Sequence, residues 1–308
     1  MKHFINIKDV PYKTLRKILS DTKKRKDLRK KLKTLEIDKD SPLKGILLIQ
    51  MFEKSSLRTR LSFYLAIRQL GGSALTLRPD ELHLSKGGES LSDTAKILST
   101  YGDIFVLRTD NEKKLNSFKK FLSIPLINGL SPNSHPAQIL SDIFTIEEIT
   151  KKNISRLNIC WIGDSNNVLN SLIEASIKFS FKLNIGCPKN YNPPSEMLRM
   201  IRQKNSKIKI FNNPKVAIKN ADVVLTDKVI SMNDKVNKKK KIKDFLNFRI
   251  NSKLMSLSNK AILLHCLPRG SEITDEVFYG KKSKVWQQAL NRVHVQKSIL
   301  LYCFGKLR

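Results

Sequence analysis

Short apolar runs, each long enough for one buried strand, alternate with segments of helical spacing, and the alternation occurs twice along the chain. In the first set, Gly45-Ile46-Leu47-Leu48-Ile49-Gln50-Met51 fits a single strand, and residues 61–70 repeat apolar side chains at helical spacing before Gly71-Gly72. Residues 73–77, 103–108 and 124–128 read as further strands, with a capped helix over 92–98 and another over 135–150. The second set opens with a strand at 157–164, a glycine turn and a helix over 168–179. Strands at 208–211, 221–226 and 261–266 follow, then a short strand at 284–286 and a long amphipathic helix from about 288. The pattern predicts an α/β chain of two domains, each a parallel sheet flanked by helices, meeting at a cleft. In such sheets ligands sit beyond the carboxyl ends of the strands.

The polar motifs fall at those ends: after Met51, at Arg108, after Ile162, after Leu225 and after Leu264. The first, Phe52-Glu53-Lys54-Ser55-Ser56-Leu57-Arg58-Thr59-Arg60, joins a strand to a helix. That junction aims backbone N–H groups and the positive end of a helix at one spot. Hydroxyls and guanidinium forks in the same stretch suit a phosphate.

Composition narrows the partners. With 308 residues, 40% hydrophobic and 28% charged, the chain can fill two ordinary cores. The net charge of +31 raises the question of nucleic acid. However, the runs Lys23-Lys24-Arg25-Lys26 and Lys238-Lys239-Lys240-Lys241 are not interleaved with the aromatic side chains on which bases stack. The first run reads as the solvated face of a helix patterned by Leu15, Leu19, Leu28, Leu32 and Leu35, and the second as a polar loop. Nucleic acid is therefore disfavoured, while a positive field attracts small anionic substrates. Cys160, Cys187, Cys266 and Cys303 form no C-x-x-C pair, which argues against a zinc site or disulfide framework and fits a reducing cytoplasm. The sequence has neither a secretory h-region at its start nor an apolar run near the ~20 residues that span a bilayer.

Taken together, F-E-K-S-S-L-R-T-R, His135-Pro136-Ala137-Gln138, Asp227-x-x-x-Ser231-Met232 and His265-Cys266-Leu267-Pro268 resemble the aspartate/ornithine carbamoyltransferase family. The last two motifs are similar to its ornithine branch. The resemblance implies a carbamoyl-phosphate-binding domain over 1–148, an ornithine-binding domain over 149–287, and a final helix, 288–308, packing back on the first domain. The active site is expected in the cleft between the domains. By the same resemblance, Ser56, Leu57, Arg58 and Thr59 hold the phosphate. Arg108, His135 and Thr59 face the carbonyl oxygen, while Gln138 and the Leu267 carbonyl accept the amide hydrogens. Arg292 also contacts carbamoyl phosphate, and Cys266 sits beside the attacking nitrogen with Asp227 nearby. Asn167 matches the group that binds the acceptor's α-carboxylate, Asp227 the one that binds its α-amino group, and Ser231 and Met232 add contacts. His83 matches a residue that reaches a neighbouring subunit's site, which implies a homotrimer or trimer-based oligomer. The implied reaction uses carbamoyl phosphate and L-ornithine, with no metal or organic cofactor.

The sequence departs from the family pattern in places. Leu57 stands where the family has threonine, removing one hydroxyl from the phosphate cradle. Arg269-Gly270 follows Pro268 directly, as in the aspartate branch, although that branch has proline at the position of Cys266. Asn233 replaces a glycine, and Lys228-Val229 a Val-Trp pair. Another acceptor (aspartate, putrescine or an acylated ornithine) is the nearest alternative, and a non-catalytic basic nucleic-acid-binding protein a more distant one.

Overall fold

The computed structural model describes residues 2–78, 88–204, 207–230 and 237–307. The chain divides into two compact units, residues 1–141 with 289–308, and residues 142–288. The chain leaves unit 1 within one helix and returns to it within the last.

Unit 1 runs α1 (Tyr12–Leu28), β1 (Leu47–Phe52), α2 (Leu57–Gln69), β2 (Ser73–Leu77), α3 (Leu91–Tyr101), β3 (Ile104–Arg108), α4 (Glu112–Phe121), β4 (Leu126–Leu130) and the start of α5 (Pro136–Thr150). The sheet is parallel, in the order β2-β1-β3-β4. Strands β1, β3 and β4 are buried almost throughout, as expected for parallel strands covered on both faces, whereas the more polar β2 forms the exposed edge. Ile49, Met51, Phe105, Leu107 and Phe118 fill one core of this unit.

In unit 2 the elements are β5 (Asn158–Ile162), α6 (Asn167–Phe179), β6 (Lys182–Gly186), α7 (Ser195–Gln203), β7 (Ile208–Phe211), α8 (Pro214–Ala217), β8 (Val223–Thr226), α9 (Lys238–Asp244), α10 (Ser252–Met255), β9 (Ile262–His265) and α11 (Asp275–Phe278). Its parallel sheet has the order β7-β6-β5-β8-β9. The last helix, α12 (Val285–Cys303), carries residues 289–308 back to unit 1. In both sheets the chain first winds to one side of the opening strand and then to the other. That creates a reversal between β1 and β3 and a second between β5 and β8, where parallel sheets open a crevice for ligands.

Local chemistry explains the boundaries. Asparagines at positions 111, 166, 213, 237 and 251 each cap the following helix by accepting from its first-turn N–H groups. Helix α2 begins four residues earlier than the apolar spacing indicates, because Ser56 is extended and Leu57 already helical. Residues 284–286 are not a strand: the chain makes only a bridge from Ser283 to Leu263 and enters α12 at Val285. Strand β6 has no counterpart in the sequence reading. Helix α1 stops at Leu28, so Leu32 and Leu35 lie beyond it.

Both basic runs prove to be mixed. In the first, Lys23 and Lys24 are exposed, but Arg25 is buried and paired with Asp21 and Asp38 at 3.2 and 3.5 Å and with Asp40 at 3.1 Å. Arg29 and Lys297 also pair with Asp38, and Ser298 donates to Asp21 at 2.7 Å, so a buried ionic network ties α12 to α1. Burial pushes the Lys297 ammonium down to about 8, against the opposing pull of Asp38. The second run is helical rather than a loop: Lys238, Lys239 and Lys240 are exposed in α9, whereas Lys241 is buried. Among the described residues no helix is long and apolar enough to cross a membrane.

Candidate active-site halves

In unit 1 the site grows from the reversal between β1 and β3. Register sets Phe52 beside Arg108, so the α2 entrance and the end of β3 are neighbours. Ser56 does not spend its hydroxyl on capping α2; Oγ instead lies 3.1 Å from Nη1 of Arg108, which donates to it. Thr59, in the first turn of α2, is buried, and its hydroxyl accepts from Nη2 of Arg292 at 2.7 Å. The other arm of that guanidinium donates to the Gln138 carbonyl oxygen, also at 2.7 Å. Arg292 therefore reaches from α12 to both the α2 turn and α5.

His135 precedes α5 and is buried. Desolvation, followed by the Arg292, Arg108 and Arg58 guanidiniums, holds its imidazole well below the usual range. Three cations thus surround a neutral imidazole, a setting that favours an anion. Glu53, next to this cluster in sequence, is engaged by Lys114 and Thr109. Leu57 is 64% exposed at the first position of α2, so the residue that departs from the family pattern turns its side chain to the surface.

In unit 2 the strand ends converge in the same way. Thr226 pairs with His265, and the Cys266 N–H donates to the Thr226 carbonyl at 3.2 Å, which sets Asp227 and Cys266 just beyond adjacent strands. From the β5 end, Asn166 Nδ2 donates to Asp227 Oδ2 at 2.9 Å, while Asn166 Oδ1 caps α6 through the N–H groups of Val168 and Leu169. Asn167 is the first residue of α6. Burial pushes the Asp227 carboxyl above its ordinary value; His265, the Lys228 N–H and Asn166 oppose the shift, and Glu272 adds to it.

The His265-Cys266-Leu267-Pro268 turn is braced internally. The Leu267 N–H donates to His265 Nδ1 at 2.8 Å, which leaves Nε2 facing Glu272 at 3.0 Å. Burial raises the Glu272 carboxyl, but hydrogen bonds from His265 and the Gly270 N–H outweigh it and hold the group low. Arg269 packs over the Phe278 and Tyr279 rings and pairs with Asp275, which accommodates the short connection after Pro268. Of the four thiols only Cys266 is partly accessible; burial pushes Cys187 up to about 11 and Cys160 and Cys303 higher still.

The fold therefore gathers Ser56, Arg58, Thr59, Arg108, His135, Gln138 and Arg292 in one unit, and Asn167, Asp227, Cys266 and Leu267 in the other. His83, Ser231 and Met232 lie outside the described residues. Sequence reasoning gave no role to Asn166, Glu272 or Lys241. An asparagine just before a helical segment is the signal that could have marked Asn166, whereas the partner of Lys241 is distant in the chain.

Two parallel α/β sheets, one with an arginine cluster at its reversal and the other with an acid, amides and a thiol, define a two-domain α/β transferase. The chain matches the carbamoyl-P binding domain of aspartate/ornithine carbamoyltransferase over residues 2–148 and the Asp/Orn binding domain over residues 155–303. It is 38% identical over 309 residues to an ornithine carbamoyltransferase of Rhizorhabdus wittichii, covering 99% of each chain. It is 40% identical to that of Rhodopseudomonas palustris, covering 99% of this chain and 97% of the relative. Among solved structures, the ornithine carbamoyltransferase from Pyrococcus furiosus has a TM-score of 0.91 at 33% identity, covering 100% of this chain and 98% of that one. The anabolic enzyme from Campylobacter jejuni has a TM-score of 0.88 at 35% identity, covering 99% of this chain and 100% of that one. The chain belongs to the aspartate/ornithine carbamoyltransferase family.

Proposed function

We propose that this protein transfers the carbamoyl group of carbamoyl phosphate to the side-chain amine of L-ornithine, giving L-citrulline and phosphate. The observation that carries the reading is the set of three guanidiniums, from Arg58, Arg108 and Arg292, around the neutral His135 at the strand ends of unit 1. A dianionic phosphate suits such a cluster, and forked donors match its oxygens. Full-length similarity to relatives named ornithine carbamoyltransferase supports the same donor and acceptor.

In the reaction, Ser56, the α2 N-terminus, Arg58 and Thr59 hold the phosphate, and Leu57 contributes only its backbone N–H. The neutral δ-amine of ornithine attacks the carbonyl carbon. Arg108, His135 and Thr59 donate to the oxygen as it becomes an oxyanion, each donor contributing about 10²–10³ in rate. Gln138 and the Leu267 carbonyl orient the amide. The C–O bond to phosphate then breaks, and phosphate leaves on the arginines, taking up the proton that the attacking nitrogen sheds. Asn167 binds the acceptor's α-carboxylate, and Asp227 its α-amino group. Cys266 and Asp227 lie beside the attacking nitrogen, which has to be deprotonated from an ammonium of pKa about 10.

A carboxylate at Asp227 disfavours aspartate, whose second carboxylate it repels, even though Arg269-Gly270 follows Pro268 as in the aspartate branch. The reading extends to a role in arginine biosynthesis and to a cytoplasmic location, supported by four cysteines free of disulfides. It also extends to a homotrimer or trimer-based oligomer, supported by exposed Leu57, Leu61 and Tyr64 on α2 and Leu75 on β2. The deciding experiment is a phosphate-release assay with carbamoyl phosphate and, in parallel, ornithine, aspartate, putrescine and N-acetylornithine. Citrulline from ornithine at the highest kcat/KM is expected; faster turnover of another acceptor replaces ornithine, and no turnover with any of them rejects the reading.

A further inference from the structure

The last lysine of the Lys238–Lys241 run behaves unlike its neighbours. Its Nζ lies 2.7 Å from Asp164 Oδ2, and both residues are buried. Asp164 belongs to the turn that leaves β5 and delivers Asn166 and Asn167 to the acceptor side. Helix α9 grips that turn a second time: Asp244 accepts from the Tyr191 hydroxyl at 2.9 Å, and the Tyr191 carbonyl accepts from the Ser165 hydroxyl. The Lys241 ammonium also lies 5.7 Å from the centre of the Tyr191 ring, which packs against Phe245 as well. Trp161 Nε1 fixes the Asp164 carbonyl from the strand side at 3.2 Å. Successive residues are thus anchored in turn, Asp164 by Lys241, Ser165 by Tyr191, and Asn166 to Asp227.

A buried ion pair contributes little net stability, because desolvating both charges offsets their attraction. It does impose one geometry, and positions next to a reacting group are sensitive to that: a 1 Å misplacement can cost about 10²-fold in rate. We propose that Lys241 is a positioning residue for the acceptor, acting through Asp164 to fix the turn that presents Asn166 and Asn167 and orients Asp227. The inference rests on the carbamoyl-transfer reading above. It assigns to one member of the basic run a task in acceptor selection that its exposed neighbours do not share.

The test compares steady-state kinetics of wild type, Lys241→Met, Lys241→Arg, Lys240→Met and the double variant Lys241→Met/Asp164→Asn, with melting temperatures alongside. Lys241→Met is expected to raise the acceptor KM at least about tenfold and to lower kcat, while the carbamoyl phosphate KM changes less than about twofold. Lys241→Arg restores most of the acceptor KM, and Lys240→Met changes nothing. The double variant regains thermal stability, since no unpaired charge stays buried, yet retains the high acceptor KM. The inference is overturned if the acceptor KM is unchanged in Lys241→Met, or if the double variant recovers acceptor KM together with stability. Should Lys241→Met not fold, the same two criteria are read from the double variant alone. Absence of turnover in the wild type overturns the functional reading itself, whereas an active wild type with an indifferent Lys241 overturns only this inference.

Discussion

His135 illustrates how much a single side chain depends on its surroundings. Buried beside Arg292, Arg108 and Arg58, its imidazole is held well below the usual 6.5. A base with a lowered folded-state pKa binds fewer protons folded than unfolded. Its contribution to stability is therefore complete above about pH 6.5 and is lost as pH falls below that value. Chemical unfolding followed from pH 7.5 to 5 should show wild type losing stability more steeply than His135→Gln; parallel curves refute the assignment. Asp227 is shifted the other way. Its carboxyl is raised, so the stability it contributes is present at low pH and declines as pH rises through its folded value. Ionising this buried carboxyl opposes folding. Asp227→Asn should therefore melt no lower than wild type while losing about 10² or more in turnover, and a lower melting temperature counts against this account.

At the scale of elements, the turn after β5 is tightly constrained backbone. Gly163 has φ +153, and a Cβ there would lie 3.2 Å from the Thr226 hydroxyl. Gly163→Ala is expected to destabilise by about 1–3 kcal/mol in denaturant unfolding and to raise the acceptor KM more than the carbamoyl phosphate KM. The alternation of strands and helices was legible in the sequence because parallel strands read as mostly apolar runs, as at Leu47–Phe52 and Val223–Thr226. Strand β6 was not, because Lys182 and Asn184 interrupt its apolar residues. Likewise, Ser56, Arg58, Thr59, His135 and Gln138 could be picked out because they cluster in short motifs. Lys241 could not: its partner Asp164 is 77 residues away, and nothing in four consecutive lysines marks which one is buried. The start of α12 was misplaced because Val285-Trp286 has strand-like composition, and the Ser283 bridge to Leu263 lies two residues before the helix entry.

For the whole molecule the dominant quantity is a net charge of +31. A field of that sign raises the local concentration of a small dianion and speeds its capture. Screening weakens it, the Debye length falling from about 10 Å at 0.1 M salt to about 3 Å at 1 M. The kcat/KM for carbamoyl phosphate is therefore expected to fall several-fold between low salt and 0.5 M sodium chloride, with kcat nearly constant. A salt-independent kcat/KM excludes steering.

The return of α12 to unit 1 has a consequence for synthesis. At roughly 5–20 residues per second, a ribosome that has just added His135 needs about 8–30 s more to reach Arg292. Until then Thr59 and Gln138 lack the guanidinium that bridges them, and Asp21 and Asp38 lack Ser298 and Lys297. The part of the chain that is translated first is thus among the last to be completed, and a nascent chain stalled before Arg292 carries a donor site short of one of its three arginines.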